Sequence, residues 1–439
     1  MYLTNKNYKY QNDIINILFC FYPIAFILGN LALNINTLLL ILSSFFFFHK
    51  KIFQKPFLIL DKLIIVFFIY LIFVMILNLV DLSYFSEIQI NHFDNPKFFL
   101  FNKSIFFLRF LFLFFVIRFL INNNIINFER FFLVSSIACL FVSFDILYQY
   151  VFDKDIFGLI PIHPRKLSGP FGAELIAGSF IQKFFLFTIF FIFIFLKVSK
   201  KNLIIFLSIL IFFSAIILSG NRMPLIMAIL SFFLLFVFEK KTRKYFLVGI
   251  SVFFLLFILL YKNNTEVRNN YSSFYNHVTK IISYPFSSNI KRSEMPPYFD
   301  EFESFYDTWQ LNKYLGAGVR SFRIYCPYRK NIDVDERSTC NTHPHNYYLE
   351  ILAELGIFGL SAFIILFYKI ISLSLKNISK HNQNIKQKYF FLVLFILFSI
   401  ELFPFKNTGS FFSTWNSTYI FLIVSLLIGI ISKKENILK

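Results

Sequence analysis

Long hydrophobic runs separated by short polar segments recur along the whole chain. A run of about 17–25 apolar residues is long enough for a helix to cross about 30 Å of hydrocarbon. This pattern predicts an all-α, polytopic membrane protein with about twelve transmembrane helices. The predicted spans cover residues 14–30, 35–49, 61–80, 104–121, 131–151, 174–196, 202–219, 223–238, 245–261, 346–373, 389–404 and 414–431.

One polar segment, residues 262–345, is too long to be a simple connection, so we expect it to carry structure of its own. Within it, Glu301–Trp309 predicts a short amphipathic helix at the membrane surface, and 315–323 reads as a glycine turn followed by two arginines. The chain then divides into residues 1–261 with spans one to nine, the large loop 262–345, and residues 346–439 with the last three spans and a cytoplasmic tail.

Composition supports the membrane class, because 57% of the residues are apolar, 69 are Phe, and the mean hydropathy is +0.65. The formal net charge of +19 could indicate nucleic acid. However, Lys and Arg cluster in short loops on alternate sides of the spans, as the positive-inside rule expects. We therefore attribute the positive charge to the orientation of the protein in the membrane, with both termini in the cytoplasm and the large loop outside. We expect no nucleic-acid partner.

The four cysteines divide into two kinds. Cys20 and Cys139 lie in apolar spans, where a free cysteine packs as a small hydrophobe. Cys326 and Cys340 lie together in the large loop, and a disulfide between them is expected if that loop faces an oxidising compartment. Two reduced thiols are the alternative.

A cluster of polar residues lies where the large loop leads into the tenth span. Pro344 suits a first helical turn, since its missing N–H would be unpaired there anyway. His343, His345 and Asn346 would then lie at the positive end of the helix dipole, an anion site. An imidazole takes a proton near neutral pH, so His345 is a candidate general base. A cap or a surface group is the alternative interpretation.

Two carboxylates follow one and two helical turns deeper. Glu350 and Glu354 share a helix face, and carboxylates inside a span are expensive enough to need a partner or a function. For each glutamate, an ion pair with Arg or Lys from another helix is an alternative to a catalytic role. Gly356 and Gly359 are expected to let a neighbouring helix come close.

Two further turns on the outward side carry cations. Arg222 lies in a tight turn between two spans and can offer a forked donor to phosphate oxygens, with an interfacial anchor as the alternative. Arg165 and Lys166 precede a Gly-Pro turn whose backbone N–H groups could cradle an anion, although such turns are common before membrane helices.

Taken together, five cations are predicted on the same side as His345: Arg165, Lys166, Arg222, Arg320 and Arg323. Such a cluster suits a pyrophosphate leaving group and a nucleophile that must lose a proton. The sequence contains no P-loop and no Cys/His spacing suited to zinc, so we predict no metal and no other cofactor. The energy would come from an activated, lipid-linked donor.

His345-Asn346, nine residues, then Gly356-Ile357-Phe358-Gly359-Leu360 resembles the His-Asn-x9-Gly-x-x-Gly signature of the bacterial O-antigen ligase and polymerase superfamily. The turns at 165–172, 219–222 and 316–322 are similar to that family as well. So is the 409–416 entrance to the last span. The resemblance covers residues from about 150 to about 430 of this chain.

The resemblance implies a GT-C-like glycosyltransferase of the bacterial inner membrane. Such an enzyme moves a glycan from undecaprenyl pyrophosphate to an acceptor hydroxyl in the periplasm, without a metal. By this likeness His345 activates the acceptor, Arg222 binds the donor pyrophosphate, and Arg320 matches a second essential arginine. The further candidates for substrate binding are Arg165, Lys166, Arg323, His343, Asn346 and Glu350.

The acceptor stays open. A ligase would use lipid A–core in lipopolysaccharide biosynthesis, a polymerase would use another repeat unit, and a protein-glycosylating relative is a third possibility. We favour the ligase. A hypothesis of another class is a polysaccharide or lipid transporter, whose pathway would be lined by Arg109, Asp145, Lys183 and Glu401.

Overall fold

The computed structural model describes residues 6–54, 56–80, 94–163, 166–283, 297–329, 340, 343–378, 385–407 and 409–437. Within these ranges the chain is all-helical, and its only β-contact is an isolated bridge between His163 and Lys166. The α-helices are α1 Lys6–Cys20, α2 Tyr22–Leu28, α3 Asn30–Phe48, α4 Ile59–Leu79, α5 Pro96–Phe107, α6 Arg109–Asn122, α7 Phe128–Phe152, α8 Ala177–Phe195, α9 Lys201–Leu218, α10 Arg222–Phe238, α11 Arg243–Asn263, α12 Thr265–Ser283, α13 Pro297–Leu311, α14 Phe322–Tyr325, α15 Tyr347–Ile378, α16 Ile385–Glu401 and α17 Thr414–Ile437.

Among the described residues, nine helical segments are long and apolar enough to cross a membrane. The number is ten if Lys9–Cys20 and Tyr22–Leu28, which meet at a 41° bend, form one span. A helix suits this role because it pairs its own backbone N–H and C=O groups, as hydrocarbon requires. The predicted polytopic, all-helical class is confirmed, while the number twelve stays a prediction.

The chain folds into two compact units that alternate along the sequence. The first unit contains residues 1–40, 124–283 and 378–401, and the second contains 41–123, 284–377 and 402–439. Each unit therefore draws helices from both halves of the chain. The division into 1–261, 262–345 and 346–439 stays a prediction.

The first unit has an interior rich in phenylalanine, where Phe131 and Phe132 of α7 pack edge-on against Phe187 of α8. Lys183 of α8 and Glu401 of α16 form an ion pair at 2.5 Å in this interior, each with a side chain only 2% exposed. A buried pair of this kind is tolerated because each charge compensates the other.

The second unit is built in the same way. Phe110 of α6 stacks on Phe421 of α17, and Arg118 pairs with Asp61 at 2.8 Å, both fully buried. Arg109 donates to the hydroxyl of Thr414 at 3.3 Å.

The four charges of the transporter hypothesis thus have local partners. Lys183 and Glu401 pair with each other, Arg109 contacts α17, and Asp145 accepts a hydrogen bond from the backbone N–H of Ile156 at 2.7 Å. These contacts give the four charged side chains a structural role within their own units.

Helix α15 is broken at Gly356, whose φ of 66° and ψ of −174° are not helical. The loop segment 313–318 lies in this break and hydrogen-bonds to its edges. The N–H of Ile357 donates to the Lys313 carbonyl at 2.9 Å, and the N–H of Gly318 donates to the Glu354 carbonyl at 2.8 Å. We call residues 313–318 together with 354–358 the loop–helix interlock.

The interlock depends on two glycines that face backbone atoms. A Cβ atom on Gly356 would lie 2.3 Å from the carbonyl oxygen of Tyr314, and one on Gly316 would lie 2.3 Å from that of Glu354. The expectation that Gly356 admits a neighbouring helix is therefore wrong, because Gly356 lies against the loop at 313–318. Gly359 does face a helix, since its Cβ would lie 3.0 Å from the Tyr70 ring of α4.

Candidate functional site

The N-terminus of α15, in the second unit, is capped by Asn346. Its Oδ1 accepts hydrogen bonds from the backbone N–H groups of Tyr348 at 2.9 Å and Leu349 at 3.2 Å. Its Nδ2 donates to the carbonyl oxygen of Pro404 at 2.8 Å. Asparagine is a favoured cap because its side chain satisfies N–H groups that the first turn leaves unpaired. These contacts give Asn346 a structural role, and part of the expected anion site is occupied by its amide.

His345 comes directly before this cap and has a left-handed backbone with φ 53°. Since α15 begins only at Tyr347, the prediction that Pro344 opens the helix is wrong. The His345 ring lies 4.4 Å from the His343 ring in an edge-to-face arrangement. Its Nε2 lies 3.8 Å from Oε2 of Glu301 on α13.

Glu301 was not among the residues singled out from the sequence. Its side chain is 10% exposed, and its helix α13 packs through Phe305 against Phe322 and Ala353. The predicted helix at 301–309 is therefore present, and one face of it is buried against α14 and α15. A carboxylate beside an imidazole favours the protonated ring, so Glu301 can stabilise the imidazolium that a general base becomes.

Two arginines lie near this histidine pair. Burial, together with the charges of His345, Arg320 and Arg323, lowers the pKa of His343 to about 4. His343 is therefore neutral at neutral pH. Arg320 has a left-handed backbone, φ 66°, and its N–H donates to Oε2 of Glu354 at 2.6 Å.

The two deep carboxylates have well-defined partners. Glu350 accepts from the Ser410 hydroxyl and from the backbone N–H of Phe411, both at 2.5 Å, and so holds the entrance to α17. Glu354 holds the Arg320 backbone. Both side chains are 1% exposed, and hydrogen bonds offset the large penalty for burying them. Within the described residues, the hydrogen bonds to these carboxylates come from a hydroxyl and backbone N–H groups and not from cationic side chains.

Arg323 lies in the same electrostatic environment. Burial lowers the pKa of Arg323, the charge of Arg320 acts in the same direction, and the charges of Glu354 and Glu350 oppose it. Lys103, an exposed residue of α5, lies within electrostatic range of both arginines. Sequence reasoning missed Lys103, and the available signal was its position directly before the predicted span 104–121.

The first unit contains the other predicted cation site. Arg222 begins α10, and its Nε and Nη2 donate to Oδ1 of Asn270 at 2.9 and 2.7 Å. Its Cζ lies 5.5 Å from the centre of the Phe274 ring. Both partners belong to α12, a helix within the predicted outer loop that the sequence pattern did not reveal.

Lys166 lies near Arg222. Burial lowers the pKa of Lys166, and the charge of Arg222 lowers it further. The structure therefore brings together these two cations, which were predicted on one side of the protein. Arg165 lies outside the described residues.

The large loop contains a disulfide between Cys326 and Cys340, whose Cα atoms lie 5.7 Å apart. Arg329, within the closed loop, donates to the Cys326 carbonyl at 2.8 Å. Cys20 and Cys139 are free and buried, as expected of packing residues.

Opening this disulfide is expected to destabilise the protein. For a closed loop of this length, the Cys326→Ser variant should lose about 3 kcal/mol of stability, measured as a lower melting temperature in detergent. Alkylation of the denatured wild type should label two cysteines without reductant and four with it. Four labels without reductant would contradict the bond.

No group of three or more His, Cys, Asp or Glu in the described part of the chain is arranged to hold a metal ion. The second unit instead offers an imidazole beside a carboxylate, with arginines close by. The first unit offers an arginine held on a neutral amide. These are the parts needed to remove a proton from a hydroxyl and to bind an anion.

Comparison with protein families gives a match over part of the chain. Residues 206–364 match the family model described as O-antigen ligase. This segment includes Arg222, Arg320, Arg323 and His345. No individually curated protein matches the chain. Over residues 206–364, the chain is therefore similar to the O-antigen ligase family.

Proposed function

We propose that this protein is a membrane glycosyltransferase of GT-C type that moves a glycan from undecaprenyl pyrophosphate to an acceptor hydroxyl. We place it in the bacterial inner membrane, with both termini in the cytoplasm and the active site facing the periplasm. The match of residues 206–364 to the O-antigen ligase family model supports the reaction class, and the distribution of Lys and Arg supports the orientation.

The observation that carries this proposal is the environment of His345. Its imidazole stands beside the Glu301 carboxylate, and the charges of Arg320 and Arg323 reach the neighbouring His343 ring. A base with a carboxylate partner suits deprotonation of a hydroxyl. Nearby arginines suit an anionic substrate or leaving group.

The proposed step is a direct displacement. His345 accepts the proton of the acceptor hydroxyl while the hydroxyl oxygen attacks the anomeric carbon of the donor sugar. The bond from that carbon to the pyrophosphate oxygen breaks, and undecaprenyl pyrophosphate leaves with the electron pair. Attack from the face opposite the leaving group inverts the configuration. Arg222 and Arg320 are assigned to the pyrophosphate charge, which grows as the bond breaks.

The acceptor decides the biological role. We favour the lipid A–core of a Gram-negative bacterium, which makes the protein an O-antigen ligase of lipopolysaccharide biosynthesis. The alternative is a polymerase that joins repeat units with the same donor and the same residues. Membrane lipids are the remaining partners.

The role of Arg222 is tested with purified protein in detergent. The protein receives lipid-linked glycan from its own cell, with lipid A–core or alone. Arg222→Ala should reduce transfer by about 10²–10³-fold, the usual effect of removing a donor that stabilises developing charge. Arg268→Ala, which removes an exposed arginine of α12, should transfer at the wild-type rate.

Each outcome has a definite meaning. Glycan on the core indicates a ligase, and longer lipid-linked chains from the donor alone indicate a polymerase. A wild-type protein that does neither contradicts the proposed activity. Equal activity of Arg222→Ala and Arg268→Ala contradicts the role of Arg222.

A further inference from the structure

One asparagine joins the turn that carries Arg222 to the neighbouring helix. Asn270 of α12 is 2% exposed, and its Oδ1 accepts hydrogen bonds from Nε and Nη2 of Arg222 at 2.9 and 2.7 Å. Its Nδ2 donates to the carbonyl oxygen of Gly220 at 2.8 Å. The Asn270 amide therefore binds both the backbone of the turn, at Gly220, and the side chain of Arg222.

An amide has the groups that both contacts require. A guanidinium only donates hydrogen bonds, so its partner must accept, whereas the Gly220 carbonyl needs a donor. A carboxylate at position 270 would accept from Arg222 but offer nothing to Gly220. Alanine would leave both contacts unmade. These requirements also fix which way the Asn270 amide points.

The contacts leave Arg222 oriented and positively charged. Nε and Nη2 lie on one edge of the planar guanidinium, and the Phe274 ring, one helical turn after Asn270, faces the same group at 5.5 Å. Two further basic side chains lie within electrostatic range of Arg222. Burial lowers the pKa of both Lys166 and His277, and the charge of Arg222 lowers each further.

We propose that Asn270 is a positioning residue, which fixes the Arg222 guanidinium for the pyrophosphate of the donor without contacting the donor itself. The inference rests on the proposed function, because it requires Arg222 to bind that anion. The neutrality of Asn270 is part of the role. A neutral acceptor orients the guanidinium and leaves its charge available, whereas a carboxylate would orient it and neutralise it.

The test compares two replacements of Asn270 by the KM for the lipid-linked donor. Asn270→Ala should raise this KM about ten- to a hundredfold, as expected for losing hydrogen bonds to a charged group. Asn270→Asp should also raise it at least tenfold, because the carboxylate still pairs with Arg222 but neutralises its charge. Asn269→Ala, which removes the exposed neighbouring asparagine, should leave the KM unchanged.

If Asn270 has only a structural role, the KM and melting temperature of the two variants should change differently. In that case Asn270→Asp would keep the wild-type KM for the donor, and Asn270→Ala would lower the melting temperature alone. Either result overturns the inference. Arg222→Ala in the same assay separates the two proposals. If it raises the KM while Asn270→Asp does not, only the positioning role fails; if Arg222→Ala changes neither KM nor rate, both fail.

Discussion

Replacing His345 with alanine should reduce glycan transfer by about 10²–10⁴-fold, the usual contribution of a positioned general base. The proton of the acceptor hydroxyl would then have no side chain to accept it at that position. Donor binding should change little, because His345 is assigned to the acceptor hydroxyl and not to the donor pyrophosphate. The measurement is the initial rate of transfer by purified protein, with the donor KM determined alongside.

Two controls make this result specific. His49→Ala removes an exposed histidine on the predicted cytoplasmic side and should keep full activity. The melting temperature of His345→Ala should match the wild type, since alanine and histidine are both L-residues at the same left-handed backbone position. If His345→Ala retains more than a tenth of the wild-type rate, the proton acceptor is another group.

Replacing Gly316 with alanine should destabilise the protein by on the order of 4 kcal/mol, an exceptionally large value for one methyl group. The new Cβ would meet the carbonyl oxygen, carbonyl carbon and next amide nitrogen of the Glu354–Leu355 peptide at 2.3–2.6 Å. These are backbone atoms, so no side-chain rotation can relieve the clash. The interlock would open, and with it the contact between Glu354 and Arg320. The melting temperature and the yield of folded protein report the loss.

Gly318→Ala is the matched control for this prediction. Gly318 lies in the same loop and also has a positive φ, 98°, but its nearest neighbour would be a side-chain atom of Asn78 at 3.9 Å. Alanine there carries only backbone strain, of about 1–2 kcal/mol. Equal shifts in melting temperature for Gly316→Ala and Gly318→Ala would show that close packing of the interlock is not what limits stability.

Local sequence patterns were sufficient for the helical architecture. A membrane helix is specified by a continuous apolar run, so runs such as 131–151 and 202–219 predicted helices that the structure contains. The predicted topology assigned Arg320, Arg323 and the histidine pair to the outward side, and in the structure the two arginine charges act on His343. The roles of these residues stay predictions.

Features that depend on distant contacts could not be predicted in this way. Hydropathy continues unchanged across Gly356, so nothing local shows that the loop at 313–318 enters α15 there. Glu301 reaches His345 only because α13 packs on α14 and α15. Asn270 is one polar residue among many in a polar segment, so the sequence does not distinguish it. Only the structure shows that Arg222 donates a hydrogen bond to it.

His345 and Arg320 both adopt left-handed backbone conformations, which are uncommon for residues with side chains and disfavoured by about 1 kcal/mol or more each. Glycine or asparagine would occupy either position with less strain. Selection for thermal stability alone would therefore remove the very side chains to which transfer is assigned. For an engineer of this enzyme, thermostability and turnover are competing objectives at these two positions.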